Sequence, residues 1–164
     1  MHDQKQPPMR GPGIVLRRAA RDDAPMVSGV FLASFKATYE FPLAHTDDEV
    51  RGWIRDDLIP ATEAWVAVNS ASVIVGVMAL DGDDLAQLYI APGWTGQGIG
   101  SRFVELAKRL RPAGLWLFTF QVNRGARRFY ERHGFIVVDE NDGSRNEEHQ
   151  PDVRYEWRPE APAA

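Results

Sequence analysis

The sequence predicts one mixed α/β domain of the α+β type, with a central, mostly antiparallel sheet of about six to seven strands and about four helices. Short apolar runs rich in β-branched residues alternate with amphipathic segments of helical period. Three strand-like runs follow one another with only turns between them. Since no linker or repeat interrupts the pattern, we expect a domain at residues 14–158 between tails at 1–13 and 159–164.

The first elements are a strand at 14–18 and a helix that Asp22 is expected to cap. One face of that helix carries Val27, Val30, Phe31, Ser34 and Phe35. A second helix should begin after Thr46 and run to about Asp57, because Thr46 and Glu49 have the spacing of a capping box.

An antiparallel meander comes next, with strands predicted at 64–69, 73–80 and 84–90. The residues between them, Asn69 to Ser72 and Asp81 to Asp83, have the chemistry of turns.

The last part of the chain predicts two more helices and three strands. Helical spacing relates Phe103, Leu106, Ala107 and Leu110, and it also relates Ala126, Phe129, Tyr130 and His133. Asn123 should cap the second of these helices and Gly134 should end it. A strand at 115–120 is apolar on both faces, as a central strand is, and strands at 135–139 and 153–157 close the sheet.

Composition excludes several classes of protein. The 164 residues include no cysteine, which removes disulfides and thiolate chemistry and fits the cytoplasm. The net charge of −4 is unlike that of a non-specific nucleic-acid binder, and no apolar stretch is long enough for a membrane helix. We therefore expect a small-molecule or peptide partner, without nucleic acid or membrane.

A glycine-rich turn between the strand at 84–90 and the next helix is the most informative segment. Gly96, Gly98 and Gly100 allow a tight backbone turn and close approach of a ligand, while the free amides of the helix attract an anion. A structural turn is the alternative. The segment lacks the lysine of a Walker loop and follows too many strands for a dinucleotide fingerprint, so the neighbouring residues must decide.

This turn, with Pro92 before it and the segment Asn123-Arg124-Gly125-Ala126-Arg127-Arg128-Phe129-Tyr130-Glu131-Arg132-His133-Gly134-Phe135 after it, resembles the GNAT superfamily of N-acetyltransferases. The resemblance extends over nearly the whole ordered chain, but its specific motifs lie within 84–135. It implies a GNAT-like fold with a splay between two central parallel strands. It also implies acetyl-CoA as cosubstrate and an amine as acceptor.

The resemblance further implies which residues bind acetyl-CoA. The backbone of Leu88, Tyr89 and Ile90 would pair with the pantetheine arm. The pyrophosphate would lie on the turn formed by Gly96, Gln97, Gly98, Ile99, Gly100 and Ser101. Asn123 would flank the other side. From its place on the helix, Arg127 is a further candidate to reach a phosphate, with a solvated helix face as the alternative. Thr95 departs from the Arg or Gln usual at the start of this turn, which should weaken binding modestly.

For catalysis, Tyr130 matches the family's general acid, although a core aromatic is its alternative interpretation. A backbone amide near Tyr89 or Ile90 would stabilise the oxyanion. No base is assigned, because Phe118 stands where some relatives have a glutamate. Asp84 and Gln87 are the candidates, and Asp84 is equally well explained by a solvated hairpin turn.

The acceptor pocket would be lined by the first two helices and the loop between them. Its candidate residues are Phe35, Tyr39, Phe41, His45, Trp53 and Gln87, with helix packing as the alternative for the aromatic ones. The sequence leaves open whether the amine belongs to a small molecule or to a protein.

Other interpretations remain open at this point. The missing glutamate motivates a non-catalytic acyl-CoA-binding module, and a pure interaction module would use only the fold. The family often pairs, so a homodimer is allowed. No metal is expected, because the four histidines lack paired spacing.

Overall fold

The computed structural model describes residues 13–160, so nearly all of the two predicted tails lies outside the described residues. The seven strands are β1 Val15–Arg18, β2 Glu63–Val68, β3 Ile74–Asp81, β4 Asp84–Ile90, β5 Leu115–Phe120, β6 Ile136–Asn141 and β7 Asp152–Trp157. The four principal helices are α1 Ala24–Thr38, α2 Asp47–Trp53, α3 Ile99–Leu110 and α4 Arg124–Arg132. A π-helical turn, Ile54–Leu58, and a short helical turn, Ile59–Ala61, continue α2.

All seven strands form one sheet in the order β1-β2-β3-β4-β5-β7-β6. The β4/β5 pair is parallel and every other neighbouring pair is antiparallel. The predicted mixed, mostly antiparallel sheet is therefore confirmed, and so are the seven strand-like runs.

Helices cover both faces of the sheet and divide the core in two. On one face α1 and α2 pack with Val66, Val77 and Ala79 from the strands. On the other face α3 and α4 pack against Met78, Leu117 and Tyr155, among others. β3 is buried along almost its whole length because it has helices on both sides.

Helix caps account for most of the predicted boundaries. The Glu49 amide donates to Thr46 Oγ1 at 3.2 Å, so the capping box of α2 is confirmed. Asn123 Oδ1 accepts from the Ala126 amide at 3.0 Å and caps α4. The cap predicted at Asp22 is wrong: a 3₁₀ turn precedes α1, and the neighbouring Asp23 carboxylate accepts from the Ala20 amide.

β4 and β5 diverge as soon as they have paired. Their ladder consists of one register position, Asp84 opposite Trp116, with the Trp116 amide donating to the Asp83 carbonyl. A register shift between β3 and β4 adds a bulge near Ala86, which increases the local twist of β4. The predicted splay between the central parallel strands is thus confirmed, and it opens a gap in the middle of the sheet.

Residues 13–160 include no helix that is long and apolar enough to cross a membrane.

Candidate active site

A cleft of about 900 Å³ occupies the gap between β4 and β5. One end of the cleft lies at the glycine turn before α3, and the other end lies between the end of α1 and the β6–β7 loop. Its size is within the range of pockets that bind small molecules and cofactors.

The glycine turn forms a cradle at the first end of the cleft. Gly96 and Gly98 have φ values of +76° and +82°, in the left-handed region that glycine adopts without strain. A Cβ at either position would meet nothing within 4 Å, so the space over the turn is open. Gly100 is different, because a Cβ there would lie 3.2 Å from Cζ of Phe129.

Helix α3 directs its amino end at this cradle. Its first residues, Ile99, Gly100 and Ser101, line the cleft and belong to the helical turn whose amides have no partner within the helix. Unpaired amides and the positive end of the helix dipole together favour an anion.

The wall between the two ends is formed by the exposed edge of β4. Leu88, Tyr89 and Ile90 line the cleft, and none of them is paired with β5. A ligand with amide groups can therefore hydrogen-bond to this edge in the manner of an added strand.

Tyr130 lies in the middle of the cleft on α4. The residue is 8% exposed, and among the described residues its hydroxyl has no hydrogen-bond partner. Burial raises the pKa of Tyr130, and the neighbouring Tyr39 adds to this effect. The phenol therefore stays protonated at neutral pH and can donate its proton.

Asn123 connects α4 with the end of α1. While its Oδ1 caps α4, its Nδ2 donates to the Tyr39 hydroxyl at 2.9 Å. Both residues line the cleft. One side chain thus fixes the start of the helix that carries Tyr130 and the aromatic ring beside it.

The second end of the cleft is aromatic and polar. The Phe120 ring contacts Tyr39 and Phe41 edge-on, with centroid distances of 5.2 Å in both pairs. Asp152 is buried and lines the cleft, and its carboxylate accepts from Asn141 Nδ2 and from Asn146 Nδ2. This end can receive a group that is both cationic and apolar.

The structure brings twelve of the predicted site residues to the cleft. They are Tyr39, Gln87, Leu88, Tyr89, Ile90, Gly96, Gly98, Ile99, Gly100, Ser101, Asn123 and Tyr130.

Three residues predicted for the cofactor or for catalysis are not among those that line the cleft. Asp84 lies at the paired, opposite end of β4, where burial and Asp81 raise its pKa to about 6. The Gln97 side chain turns back to the Gly93 carbonyl. Arg127 is held outside by the Tyr155 hydroxyl at 3.1 Å and by Glu140, because it lies on the side of α4 that faces β6 and β7.

Four residues predicted for the acceptor pocket also lie outside the cleft lining. Phe35 is 3% exposed and belongs to the packing of α1. Trp53 packs edge-on against Phe31. Phe41 packs edge-on against Phe120, which itself lines the cleft. His45 is exposed and contacts Glu49 and Glu147.

Other lining residues had no part in the sequence prediction. They are contributed mainly by the turn before α3, by β5, by α4 and by the β6–β7 loop, and include Trp94, Thr119, Phe120, Phe129, Arg132, Asn141, Arg145, Asn146 and Asp152. The polar, Asn-rich segment 141–152 was the available signal, since it is longer than a simple hairpin turn needs to be.

Residues 60–137 match the acetyltransferase (GNAT) domain family. The chain is also 33% identical over 125 residues to the peptidyl-lysine N-acetyltransferase YjaB of Salmonella typhimurium, covering 76% of this chain and 85% of that protein. The chain belongs to the GNAT family of acetyltransferases. This GNAT protein is therefore an acyltransferase that moves an acetyl group from acetyl-CoA to an amine. The comparisons do not support the two alternatives, a non-catalytic acyl-CoA-binding module and a pure interaction module.

Solved GNAT structures share the fold. The solution structure of apo YjaB from Escherichia coli superimposes with a TM-score of 0.73 and 28% identity, covering 88% of this chain and 97% of that one. The PaiA N-acetyltransferase of Thermoplasma acidophilum, solved in complex with coenzyme A, gives a TM-score of 0.66 at 21% identity, covering 89% and 99%.

The cleft of this GNAT protein fits acetyl-CoA. The open, left-handed glycine turn has room for phosphate groups, and the unpaired edge of β4 has room for an arm with amide groups. Among the described residues, no cluster of three or more His, Asp or Glu side chains has the arrangement of a metal site.

Proposed function

We propose that this protein acetylates the side-chain amine of lysine in proteins or peptides, with Tyr130 as general acid and the glycine turn as the phosphate site. The observation that carries the proposal is the cleft itself, where an unpaired strand edge, an anion-binding helix end and a buried phenol meet. Acetyl-CoA supplies the activated acetyl group as a thioester.

The cosubstrate is held chiefly by backbone groups in this proposal. Amides of Gly98, Gly100 and Ser101 bind the pyrophosphate, and the edge of β4 from Leu88 to Ile90 orients the pantetheine arm. A backbone amide near Tyr89 or Ile90 donates to the acetyl carbonyl oxygen, where negative charge develops during the transfer.

Tyr130 donates a proton to the departing thiolate as the C–S bond breaks and the C–N bond forms, and the proton that the attacking amine loses passes to solvent, from which Tyr130 is reprotonated. The raised pKa of its phenol keeps it protonated over the neutral range, although the same shift makes it a weaker acid. A positioned acid of this kind contributes roughly 10²- to 10⁴-fold to a rate.

Two features favour the amine of a protein over a small one. The YjaB and YiaC relatives are named peptidyl-lysine N-acetyltransferases. Trp53, one of the aromatic residues predicted for the acceptor pocket, does not line the cleft, and Phe118 lies at the cleft with 48% of its surface exposed. The exposed ring at the edge of the cleft gives a macromolecular acceptor an apolar surface to contact.

Asp152 contributes a negative charge to the second end of the cleft, which Arg145 of the β6–β7 loop also lines. It is the only carboxylate among the described residues that line the cleft, and it lies beside the aromatic rings of that end. A lysine side chain, with its apolar stem and cationic head, matches this combination.

The first test measures thermal stabilisation by acetyl-CoA in the wild type and in Gly98→Trp, whose indole should fill the cradle. We expect a shift of several degrees in the wild type and none in the variant. Gly82→Trp is the matched control, because Gly82 also has positive φ and open space, but lies in the β3–β4 turn away from the cleft. Equal loss in both variants would contradict a phosphate site at the turn.

The second test compares acceptors at fixed acetyl-CoA. We expect acetylation of the lysine side chain in a short peptide with a blocked amino terminus, detected by mass spectrometry. Turnover of free polyamines with no turnover of the peptide would refute the protein acceptor and leave the acetyltransferase intact.

A further inference from the structure

His133 contacts a residue of the cleft although it does not line the cleft itself. Its Nε2 lies 3.0 Å from Oγ of Ser101, which belongs to the first turn of α3. The imidazole is the C-cap residue of α4, so the contact joins the carboxyl end of one helix to the amino end of the other.

The histidine is fixed on several sides. Its ring packs on Phe129 with a centroid distance of 4.7 Å, and Phe129 in turn fills the space beside Gly100. The His133 carbonyl accepts from Lys108 Nζ on α3. The imidazole therefore stands in a defined position behind Ser101.

The hydrogen bond between the two side chains has two possible directions. When Nε2 is protonated, it donates to Ser101 Oγ and leaves the hydroxyl proton free to donate into the cleft. When Nε2 is unprotonated, the hydroxyl donates to His133, and its lone pairs face any ligand in the cleft. An anion in the cradle favours the first direction.

We propose that His133 is a positioning residue, which aims the Ser101 hydroxyl at the cosubstrate's pyrophosphate and strengthens that contact when it is protonated. The inference rests on the proposed phosphate site. No covalent step is involved, and the proton comes from solvent.

The surroundings of His133 favour its neutral form in the absence of a ligand. Burial lowers the pKa of His133 first, and the positive charges of Lys108 and Arg132 add to this effect. Glu105 on α3 acts in the opposite direction. A pyrophosphate held in front of Ser101 adds negative charge on the same side as Glu105, and so it must raise the pKa of His133.

The affinity for the cosubstrate must therefore depend on pH. Because binding raises the affinity of His133 for a proton, a proton on His133 must raise the affinity for the cosubstrate by the same factor. Binding is then tightest below the pKa of the free enzyme's His133 and weakens as pH rises through the pKa in the complex. One unit of difference corresponds to about a tenfold change in affinity.

The decisive experiment uses dephospho-CoA, which keeps the pyrophosphate but lacks the 3′-phosphate that would itself titrate near pH 6. Histidine ring signals of ¹⁵N-labelled protein are followed by NMR against pH, with and without saturating dephospho-CoA. The His133→Gln variant identifies the signals. We expect the pKa of His133 to rise by about one unit, with Nε2 protonated in the complex.

Affinities measured by calorimetry complete the test. Wild-type protein should bind dephospho-CoA about tenfold more tightly at the acidic end of the titration than at the basic end. In His133→Gln, whose amide still donates but carries no charge, the affinity should be independent of pH. Ser101→Ala should reduce the rise in the His133 pKa, because the hydroxyl that connects the imidazole to the anion is lost.

Two results would overturn the inference while leaving the cofactor site in place. One is an unchanged pKa of His133 in a saturated complex, and the other is an affinity of His133→Gln for dephospho-CoA that depends on pH as strongly as that of the wild type. Absence of binding at every pH would instead remove the phosphate site, and this inference with it.

Discussion

The two ends of the cleft are built from different parts of the polypeptide. The cradle consists mainly of backbone: left-handed glycines, the amides of the first turn of α3, and the edge of β4. The second end consists of side chains from the end of α1, β5 and the β6–β7 loop, with Tyr39, Phe120 and Asp152 among them. Apart from Ser101 and His133, exchanging side chains should therefore affect the first end little and the second end strongly.

The largest effect is expected for Tyr130→Phe, at the junction of the two ends. Removing the phenol should lower kcat by roughly 10²- to 10³-fold and leave the acetyl-CoA-induced thermal shift intact. Tyr155→Phe is the control, since Tyr155 is also buried on this side of the sheet but its hydroxyl accepts a hydrogen bond from Arg127 Nε. Steady-state kinetics measure kcat for both variants. An equal fall in kcat would show that Tyr130 contributes through packing and not as an acid.

A tenfold effect is expected for Phe120→Ala at the second end. The variant removes an aromatic ring that lines this end of the cleft, together with its edge-to-face contacts to Tyr39 and Phe41. The KM for a lysine peptide should rise about tenfold, with little change in the KM for acetyl-CoA. Trp116→Ala removes an aromatic ring from the same strand outside the cleft lining, and it should leave the peptide KM unchanged.

A smaller effect concerns pH and the β6–β7 loop. Hydrogen bonds to Glu49 and Glu147 raise the pKa of His45, and His45 lowers the pKa of Glu49. The contacts that tie this loop to the start of α2 are therefore strongest between these two pKa values. They are lost as pH rises through the raised pKa of His45.

Hydrogen exchange of amides 142–150 measures this effect. As pH rises, the protection of these amides from exchange in the wild type should fall toward the protection in Glu147→Gln. The variant lacks the carboxylate that contacts His45 Nε2 at 2.7 Å, so its protection should respond less to pH. The same ratio at every pH would show that the loop is held without His45.

The smallest effect is expected for Gln97→Ala in the glycine turn. The Gln97 side chain is exposed and, among residues 13–160, bonds only to the Gly93 carbonyl, so the acetyl-CoA KM should change by less than about threefold. A tenfold or larger rise in this KM would show that the Gln97 side chain contributes to cosubstrate binding at the cradle.

The sequence predicts the backbone-built end well because local patterns encode it. Alternating glycines before an amphipathic helix specify the turn, and the caps at Thr46 and Asn123 specify two helix starts. Asp22 shows the limit of such patterns: two adjacent aspartates have equal capping chemistry, and the extra 3₁₀ turn gives the backbone contact to Asp23.

The side-chain-built end could not be predicted in the same way. Asp152 lies opposite Phe120 only because β7 inserts between β5 and β6, and this strand order has no local signal in the sequence. For Arg127, helical position alone did not reveal that Tyr155 and Glu140 would hold the guanidinium away from the cleft.

The single rung between β4 and β5 makes the sheet two half-sheets, one of four strands and one of three. Each half carries part of the site, since the edge of β4 belongs to the first and Phe120 and Asp152 to the second. A ligand arm paired with β4 would occupy the place of the missing ladder. The bound cosubstrate would then connect the two half-sheets, since it would lie between the half that holds the acetyl donor and the half that receives the amine.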